Sequence, residues 1–465
     1  MKQPEQKIQV VVLAAGQGTR LRSSLPKVLH PAAGRPMLEW VLRAARSAGC
    51  EEVAVVIGHG AAAVREAFSE EQITWVLQEK QKGTGHALAQ VEPEAHAPGL
   101  MLVLSGDVPL VSAPTLRQLV EAAREGWASM AVADLADPGS LGRVLTAEDG
   151  SLAGIVEAAD ATPQELAIRR VNAGLYALPV PEVFDYLRAL EPDNAKGEFY
   201  LTDALDAAAR QGKSIRLVEL ADPAESWGVN NRADLGRAHR TLLRRHAEML
   251  MENGVTILDP ERTTIEATVS VARDTIVHPG TSLLGDTSIG EACALEHGTW
   301  LRDTSVGGGS RIAPYSVLEG AVIGSGCQIG PFARLRPGTV VAQGAKVGNF
   351  VEVKNSELGK GVKANHLAYI GDTTIGEGSN IGAGVVTCNY DGIQKSPTRI
   401  GRNVFVGSDT MLVAPVVVED EAMTAAGSVV TKDVPAGALA VARSTQRNIA
   451  NWARRFRRRK GKQVS

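Results

Sequence analysis

The chain has 465 residues, more than one hydrophobic core ordinarily supports, so it divides into at least two domains. Hydrophobic residues at 44% and charged residues at 22% exclude global disorder. A formal net charge of −3 gives no overall pull toward nucleic acid or an anionic membrane, and nowhere do about 18 apolar residues run together as a bilayer span requires. Lys2 and Lys7 ahead of Ile8 to Ala15 have the outline of a secretion signal, but the apolar run is too short and leads straight into glycines and arginines, so it reads as a first strand. Strand-like runs at Val10 to Leu13, Val53 to Ile57 and Met101 to Leu104 alternate with helical patterns at Met37 to Ala48 and Ala113 to Arg124, which predicts parallel strands joined by helical crossovers. Residues 231–253, polar with spaced leucines, lacking proline and stopped by Gly254, predict a connecting helix.

From there helical spacing disappears, and an aliphatic residue recurs every six positions: Val271, Val277, Leu283, Ile289, Leu295, Leu301. With occasional five-residue steps the rhythm continues through Ile312, Ile329, Val353 and Ile370 to Ile381. Three such hexads close one triangular coil with the aliphatic side chain inward, which predicts a parallel β-helix over residues 254–440. Its thin interior suits Val, Ile, Leu and Ala and accounts for aromatics at only 4%. Glycine often follows the inward position, as at Gly290, Gly330, Gly376 and Gly382, where a tight corner is expected to need backbone freedom. Thr387 to Ile400 spans thirteen positions, so a loop holding Asn389 and Tyr390 is thrown outward. Residues 441–465 form a tail whose positive charge is concentrated from Arg454 to Lys462, read as solvated. The four cysteines, Cys50, Cys293, Cys327 and Cys388, stand far apart without C-x-x-C pairing, which indicates neither a zinc site nor a disulfide framework and fits a reducing cytoplasm.

The segment L-A-A-G-Q-G-T-R-L-R-S-S-L-P-K, Leu13 to Lys27, follows a strand, so its glycines and backbone N–H groups can wrap a triphosphate while Arg20 and Lys27 supply charge. It fits neither G-x-G-x-x-G nor G-x-x-x-x-G-K-[ST]. A second element, L-S-G-D-V-P-L, places Asp107 just past a strand end, where α/β sheets hold ligands; alone, such an aspartate is more often a cap or turn residue, and the Leu13 to Lys27 segment is what favours a ligand role. One carboxylate plus one further oxygen, for which Asn230 is the candidate, suits Mg²⁺ because that ion takes its remaining ligands from substrate phosphates and water.

The Leu13 to Lys27 string resembles the signature of sugar nucleotidyltransferases, down to Pro26-Lys27. With the hexads, nearly the whole chain resembles the bacterial bifunctional N-acetylglucosamine-1-phosphate uridylyltransferase and glucosamine-1-phosphate N-acetyltransferase family. The resemblance implies a Rossmann-like α/β domain with a mostly parallel sheet over residues 1–230, and gives the β-helix its left hand. It implies nucleotide contacts from Leu13, Ala14, Ala15, Gly16 and Lys27, uracil recognition by Gln78 with Gly83-Thr84, and further contacts from Ser105, Gly106 and Asp107. Gly142, Glu157 and Asn172 would meet the sugar and ribose, although alone each reads as an ordinary turn or strand residue. Ser105 stands where some relatives carry tyrosine, a departure that leaves backbone contacts intact.

In the second half Arg336, Lys354, His366, Tyr369, Asn380, Asn389 and Tyr390 are reactive side chains on a coat expected to be small and polar. Arg336 and Lys354 each follow an inward position and lie eighteen residues, one coil, apart; two cations stacked in this way suit an anion between them, such as a sugar phosphate. An imidazole titrates near neutral pH, so His366, in N-H-L-A-Y-I-G-D, is the expected base for acetyl transfer. By the resemblance Tyr369 and Asn380 contact the sugar phosphate or amine, and Ala383, Asn389, Tyr390, Ser408, Ala426 and Arg443 line the acetyl-CoA site. It further implies UTP, glucosamine 1-phosphate and N-acetylglucosamine 1-phosphate as substrates, Mg²⁺ on Asp107 and Asn230, and a homotrimer with acetyl sites between neighbouring chains; no nucleic acid and no membrane insertion are expected. Two rival readings are a nucleotidyltransferase whose β-helix only oligomerises or senses effectors, and a trimeric scaffold tethered by its basic tail. His366, the Arg336/Lys354 pair and the ejected loop argue against the first, and the lack of interleaved base-stacking aromatics in the tail against nucleic-acid tethering.

Overall fold

The computed structural model describes residues 8–92, 98–194 and 197–461, so Lys2, Lys7 and Lys462 lie outside the described residues. Contacts divide the chain into two compact units, Met1–His246 and Ala247–Ser465.

The first unit is built on a nine-stranded sheet. Along its main path the order is Ile215–Glu219, Ala128–Asp134, Arg170–Val180, Gly99–Ser105, Ile8–Ala14, Glu52–Ile57, Thr74–Leu77. Ile8–Ala14 runs parallel to both of its neighbours, pairing Val10 with Val53 and with Leu102. Both faces of this strand are covered: Val10 and Val12 pack with Leu38, Val41 and Leu42, whereas Val11 packs with Leu88 and Leu205. A strand buried on two sides must be apolar throughout, which is why these strands read as unbroken aliphatic runs rather than alternating ones. Helices Met37–Ser47 and Ala113–Glu125 occupy the expected crossovers. Arg170–Val180 runs against both of its neighbours, a direction that apolar runs alone do not encode.

Helix Arg232–Glu252 starts at a side-chain cap. Asn231 Oδ1 accepts the N–H groups of Ala233 and Asp234 at 2.8 and 3.0 Å, and the Asp234 carboxylate accepts the N–H of Asn231 in return. Within the first unit Arg232 donates to the Leu21 carbonyl, and Arg245 to that of Leu110 and to Asp222. Gly254, at φ +90, supplies the left-handed residue that stops the helix.

The second unit is a left-handed parallel β-helix whose faces are sheets of 11, 10 and 9 strands. The hexads stack as the sequence predicts: Val277, Leu295, Ile312, Ile329, Val347, Ala364, Ile381 and Val406 pair one above the next, all buried. Of the glycines after inward positions, Gly330, at φ +93, needs the backbone freedom expected of it, and the other three answer to a different cause. At Gly290, Gly376 and Gly382 a Cβ would come within 2.6, 2.5 and 2.6 Å of backbone in the next coil, so room between coils, not dihedral freedom, requires them. Left-handed corners are taken by glycines such as Gly298, Gly338 and Gly384 and, on one edge, by Tyr315, Phe332, Phe350 and Leu367. Aromatics are kept out of the interior, and three stand on this corner, Tyr315, Phe332 and Phe350 stacking with centroids 5.4 Å apart at each step.

The interruption after Thr387 is an outward loop closed by an antiparallel bridge between Tyr390 and Lys395. The tail, read from sequence as solvated, contains an exposed helix, Trp452–Arg459, in which Trp452 and Phe456, one turn apart, stack at 5.0 Å. All four cysteines are free thiols, and among the described residues no helix is long and apolar enough to cross a membrane.

Candidate active sites

At the carboxyl ends of Ile8–Ala14 and Gly99–Ser105 lies a cavity of about 480 Å³. Leu13, Ala14, Ala15, Gly16, Lys27, Gln78, Gly83, Thr84, Ser105 and Asp107, all expected from the sequence, line it. Gly106 lies behind them, its N–H donating to the Leu13 carbonyl at 2.9 Å and so joining the two loops. Two glycines are sterically required here: a Cβ on Gly83, at φ +105, would sit 2.5 Å from the Phe199 carbonyl oxygen, and one on Gly18, at φ +64, would meet the Lys27 Cβ at 2.7 Å. Gln78 is buried and donates to the Gly83 carbonyl at 3.2 Å, while Thr84 accepts the Leu201 N–H at 3.0 Å, so the expected base-recognition segment is braced from both sides.

Four expected residues meet at the charged end. The Lys27 ammonium is ion-paired with the Asp107 carboxylate and donates to Asn230 Oδ1 at 3.2 Å; Arg20 donates to the same oxygen at 2.7 Å. Asp107 and Asn230 thus turn two oxygen donors toward one cation, a set that fits a hard divalent ion completing its shell with phosphate oxygens and water. Among the described residues no group of three His, Cys, Asp or Glu side chains offers an alternative cage.

Gly142, Glu157 and Asn172 adjoin one another. The Gly142 carbonyl accepts the Asn172 N–H at 2.9 Å, and a Cβ on Gly142 would lie 3.2 Å from the Glu157 carboxylate, which also accepts the Thr202 hydroxyl at 3.0 Å. They do not line the cavity themselves. Tyr200 does, and burial, with Glu198 and Glu157 adding to it, pushes its phenol up to about 12. Glu198 and Tyr200, like Gln17 and Gln81, are cavity residues that the sequence reading missed. Gln17 sat inside the Leu13 to Lys27 string and Gln81 beside the Gln78 segment, but the stretch around Glu198 carries no motif.

In the β-helix the expected residues separate into two groups. Arg336 and Lys354 leave adjacent coils at one corner, as their flanking pair Leu335 and Val353 requires. Arg336 is ion-paired with Glu352 at 2.9 Å. The outward loop brings a third cation, Lys395, which the sequence reading missed; Lys395 first, then loss of solvent and Arg336, hold the Lys354 ammonium below its ordinary pKa against the pull of Asp372. Asn389 donates to Asp372 alongside, and a Cβ on Gly371 would meet both the Tyr369 hydroxyl, at 2.6 Å, and the Asn389 amide, at 2.7 Å, so Tyr369 and Asn389 belong to this group. Tyr390 does not join it directly: its hydroxyl donates to the Gly392 carbonyl at 2.7 Å, and its bridge to Lys395 shapes the loop.

His366 stands elsewhere, at the opposite edge of the face whose strand begins at Tyr369. It pairs with Asn349 of the previous coil, and its Nδ1 lies 2.8 Å from Asn349 Oδ1. Above it, hydrogen bonds from Gly384 to the Leu367 carbonyl, Asp409 to Ala383, Gly427 to Ser408 and the Arg443 guanidinium to Ala426 stack the remaining expected residues in one column, His366, Ala383, Ser408, Ala426, Arg443. Asn380 is on the strand feeding this column, between Lys363 and Phe405, and not with the cations.

Comparison with known proteins covers both units. Residues 10–173 match the MobA-like NTP transferase domain family, residues 320–355 the bacterial transferase hexapeptide family, and residues 397–432 the hexapeptide repeat of succinyl-transferase. Proteins named bifunctional protein GlmU are similar over nearly the full length: that of Pelobacter propionicus is 46% identical over 97% of this chain and 99% of its own, and that of Alkalilimnicola ehrlichii 48% identical over 97% of each. The one from Geobacter metallireducens is 47% identical over 95% of this chain and 97% of its own. The chain therefore belongs to the bifunctional GlmU family, the uridylyltransferase and acetyltransferase family its motifs resemble, and is a transferase carrying two activities in one polypeptide.

Proposed function

We propose that residues 1–230 carry uridylyl transfer and residues 254–440 acetyl transfer, joined by the helix over 231–253, so that glucosamine 1-phosphate is acetylated from acetyl-CoA and the product takes UMP from UTP in the cytoplasm. The observation that carries this reading is that the chain holds two anion-gripping clusters, Arg20 with Lys27 in one unit and Arg336, Lys354 and Lys395 in the other.

In the first reaction the phosphate oxygen of N-acetylglucosamine 1-phosphate attacks the α-phosphorus of UTP in line, and the bond to pyrophosphate breaks. Little proton transfer is needed, so positioning and charge neutralisation dominate. Lys27 and Arg20 offset the charge that develops on the leaving pyrophosphate. Asp107 and Asn230 would hold Mg²⁺, which supplies further neutralisation of the triphosphate when bound.

In the second reaction the sugar amine attacks the thioester carbonyl, the C–S bond breaks, and the amine proton passes through His366 to the departing thiolate. The Asn349 contact favours the tautomer in which Nδ1–H donates to Oδ1, leaving the Nε2 lone pair free to take that proton. Arg336, Lys354 and Lys395 would hold the sugar phosphate.

Two features support a homotrimer with the acetyl site between chains. His366 and the Lys354 column stand at opposite edges of one face, four or five extended residues and so roughly 15 Å apart. The corner below His366 carries an apolar ladder, Tyr315, Phe332, Phe350 and Leu367, exposed by 55%, 48%, 57% and 60%, and a second copy would bury it. Assaying the half-reactions separately on the full-length protein tests the division of labour. His366→Ala should abolish CoA release yet spare pyrophosphate release, Asp107→Ala should do the reverse, and joint loss in either variant would refute independent sites.

A further inference from the structure

Strand Arg170–Val180 breaks its ladder with Ala128–Asp134 between Asn172 and Tyr176, where the register shifts. Irregularities of this kind re-aim side chains. Gly174, at φ +71, takes the bend, and its N–H donates to Asn172 Oδ1 at 2.9 Å. The other end of the same amide, Nδ2, donates to the Tyr176 hydroxyl at 2.7 Å. Tyr176 is fully buried, between Val103 and Met130 of the flanking strands. Burial, reinforced by the Glu157 carboxylate, raises its phenol well above the ordinary value, so it remains a neutral partner across the working pH range.

We propose that Tyr176 is a positioning residue for uridylyl transfer, holding the Asn172 amide so that a fixed N–H and a fixed carbonyl lone pair are presented to the sugar hydroxyls of N-acetylglucosamine 1-phosphate. This rests on the reading of Asn172 as a contact to that part of the substrate. A flipped amide would set its NH₂ against the Gly174 N–H, donor against donor, so the main chain selects the orientation and the Tyr176 hydroxyl, accepting from Nδ2, holds the amide in place. Tyr176 does not line the cavity, so it acts on the site through the Asn172 amide without touching substrate. Nothing in the strand's apolar pattern marks it, because a tyrosine there also suits ordinary sheet packing.

The test is steady-state kinetics of pyrophosphate release by the full-length protein, comparing Tyr176→Phe, Asn172→Ala and the double variant. Tyr176→Phe keeps the ring and removes the hydroxyl. The expected result is a rise of about tenfold in the KM for N-acetylglucosamine 1-phosphate, the size of one neutral hydrogen bond, with kcat and the KM for UTP changed by less than about twofold. In the Asn172→Ala background the second substitution should add nothing, since the group it positions is already gone. An unchanged KM in Tyr176→Phe, with Asn172→Ala strongly impaired, overturns the proposal and leaves the role of Asn172 intact. If Asn172→Ala itself leaves the KM unchanged, the underlying reading falls first. Parallel loss of kcat and both KM values, with a lowered melting temperature, marks a packing role only and also overturns it.

Discussion

Lys395, on the loop thrown out of the coil, stands beside Lys354, and its positive charge, with that of Arg336, works against the Lys354 ammonium more than the Asp372 carboxylate supports it. Three cations on one corner repel, so the protonated form of Lys354 is disfavoured and its pKa falls. A bound phosphate reverses the balance by giving all three a common anion. As pH rises, Lys354 is therefore expected to lose its proton earlier than an ordinary lysine, and the KM for glucosamine 1-phosphate should climb on the alkaline side. Lys395→Met removes the main cause of the depression, so the alkaline limb should move to higher pH while the KM near neutrality rises by about tenfold. Measuring this KM against pH in both proteins checks the pairing, and an unshifted limb would count against it.

Chelation offers a second separation of the two chemistries. Asp107 and Asn230 bring only two oxygens to one cation, so an ion held there depends on substrate phosphates and should exchange readily. EDTA is expected to stop pyrophosphate release and leave CoA release unchanged, with Mg²⁺ restoring the first. Inhibition of both reactions would argue against a metal confined to the Asp107 end.

Much of this was legible in the sequence, for reasons that differ by element. The six-residue register survives because a thin interior tolerates only aliphatic side chains, so each inward position, from Val271 to Ile381, repeats the same constraint. The Leu13 to Lys27 string is legible because Gly18 and Lys27 pack on one another and neither can vary freely. Lys395 was hidden because its place depends on the path of an irregular loop, which spacing does not fix. Glu198 and Tyr200 were hidden because they reach the cavity from a segment without periodicity. The direction of Arg170–Val180 was hidden because a buried strand is apolar whichever way it runs.

The Asn349 contact gives a third prediction. If Asn349 Oδ1 sets the His366 tautomer, Asn349→Leu should lower kcat for acetyl transfer by about tenfold or more with little change in the KM for glucosamine 1-phosphate. His366→Ala should cost about 10²- to 10⁴-fold. Comparing the kcat of the two variants tests this, since an Asn349→Leu enzyme as fast as wild type would leave the tautomer without a guide.

The apolar corner and the split acetyl site can be tested together. Tyr315 lies at the end of the ladder, stacked on Phe332 and apart in sequence from Asn349, Lys354 and His366, so Tyr315→Asp puts a charge into any interface built on that corner. Light scattering should then report monomer where wild type gives trimer, with CoA release lost and pyrophosphate release retained. Co-expression sharpens the argument. A chain with His366→Ala keeps its cations, and one with Lys354→Ala keeps its base; each is expected to be inactive alone. If the site draws His366 from one chain and Lys354 from its neighbour, mixed trimers contain some interfaces with both groups intact, and CoA release should return to a measurable fraction of wild type. A site contained within one chain would have no intact copy in the mixture, so persistent inactivity in verified mixed trimers would place both groups on the same chain's site.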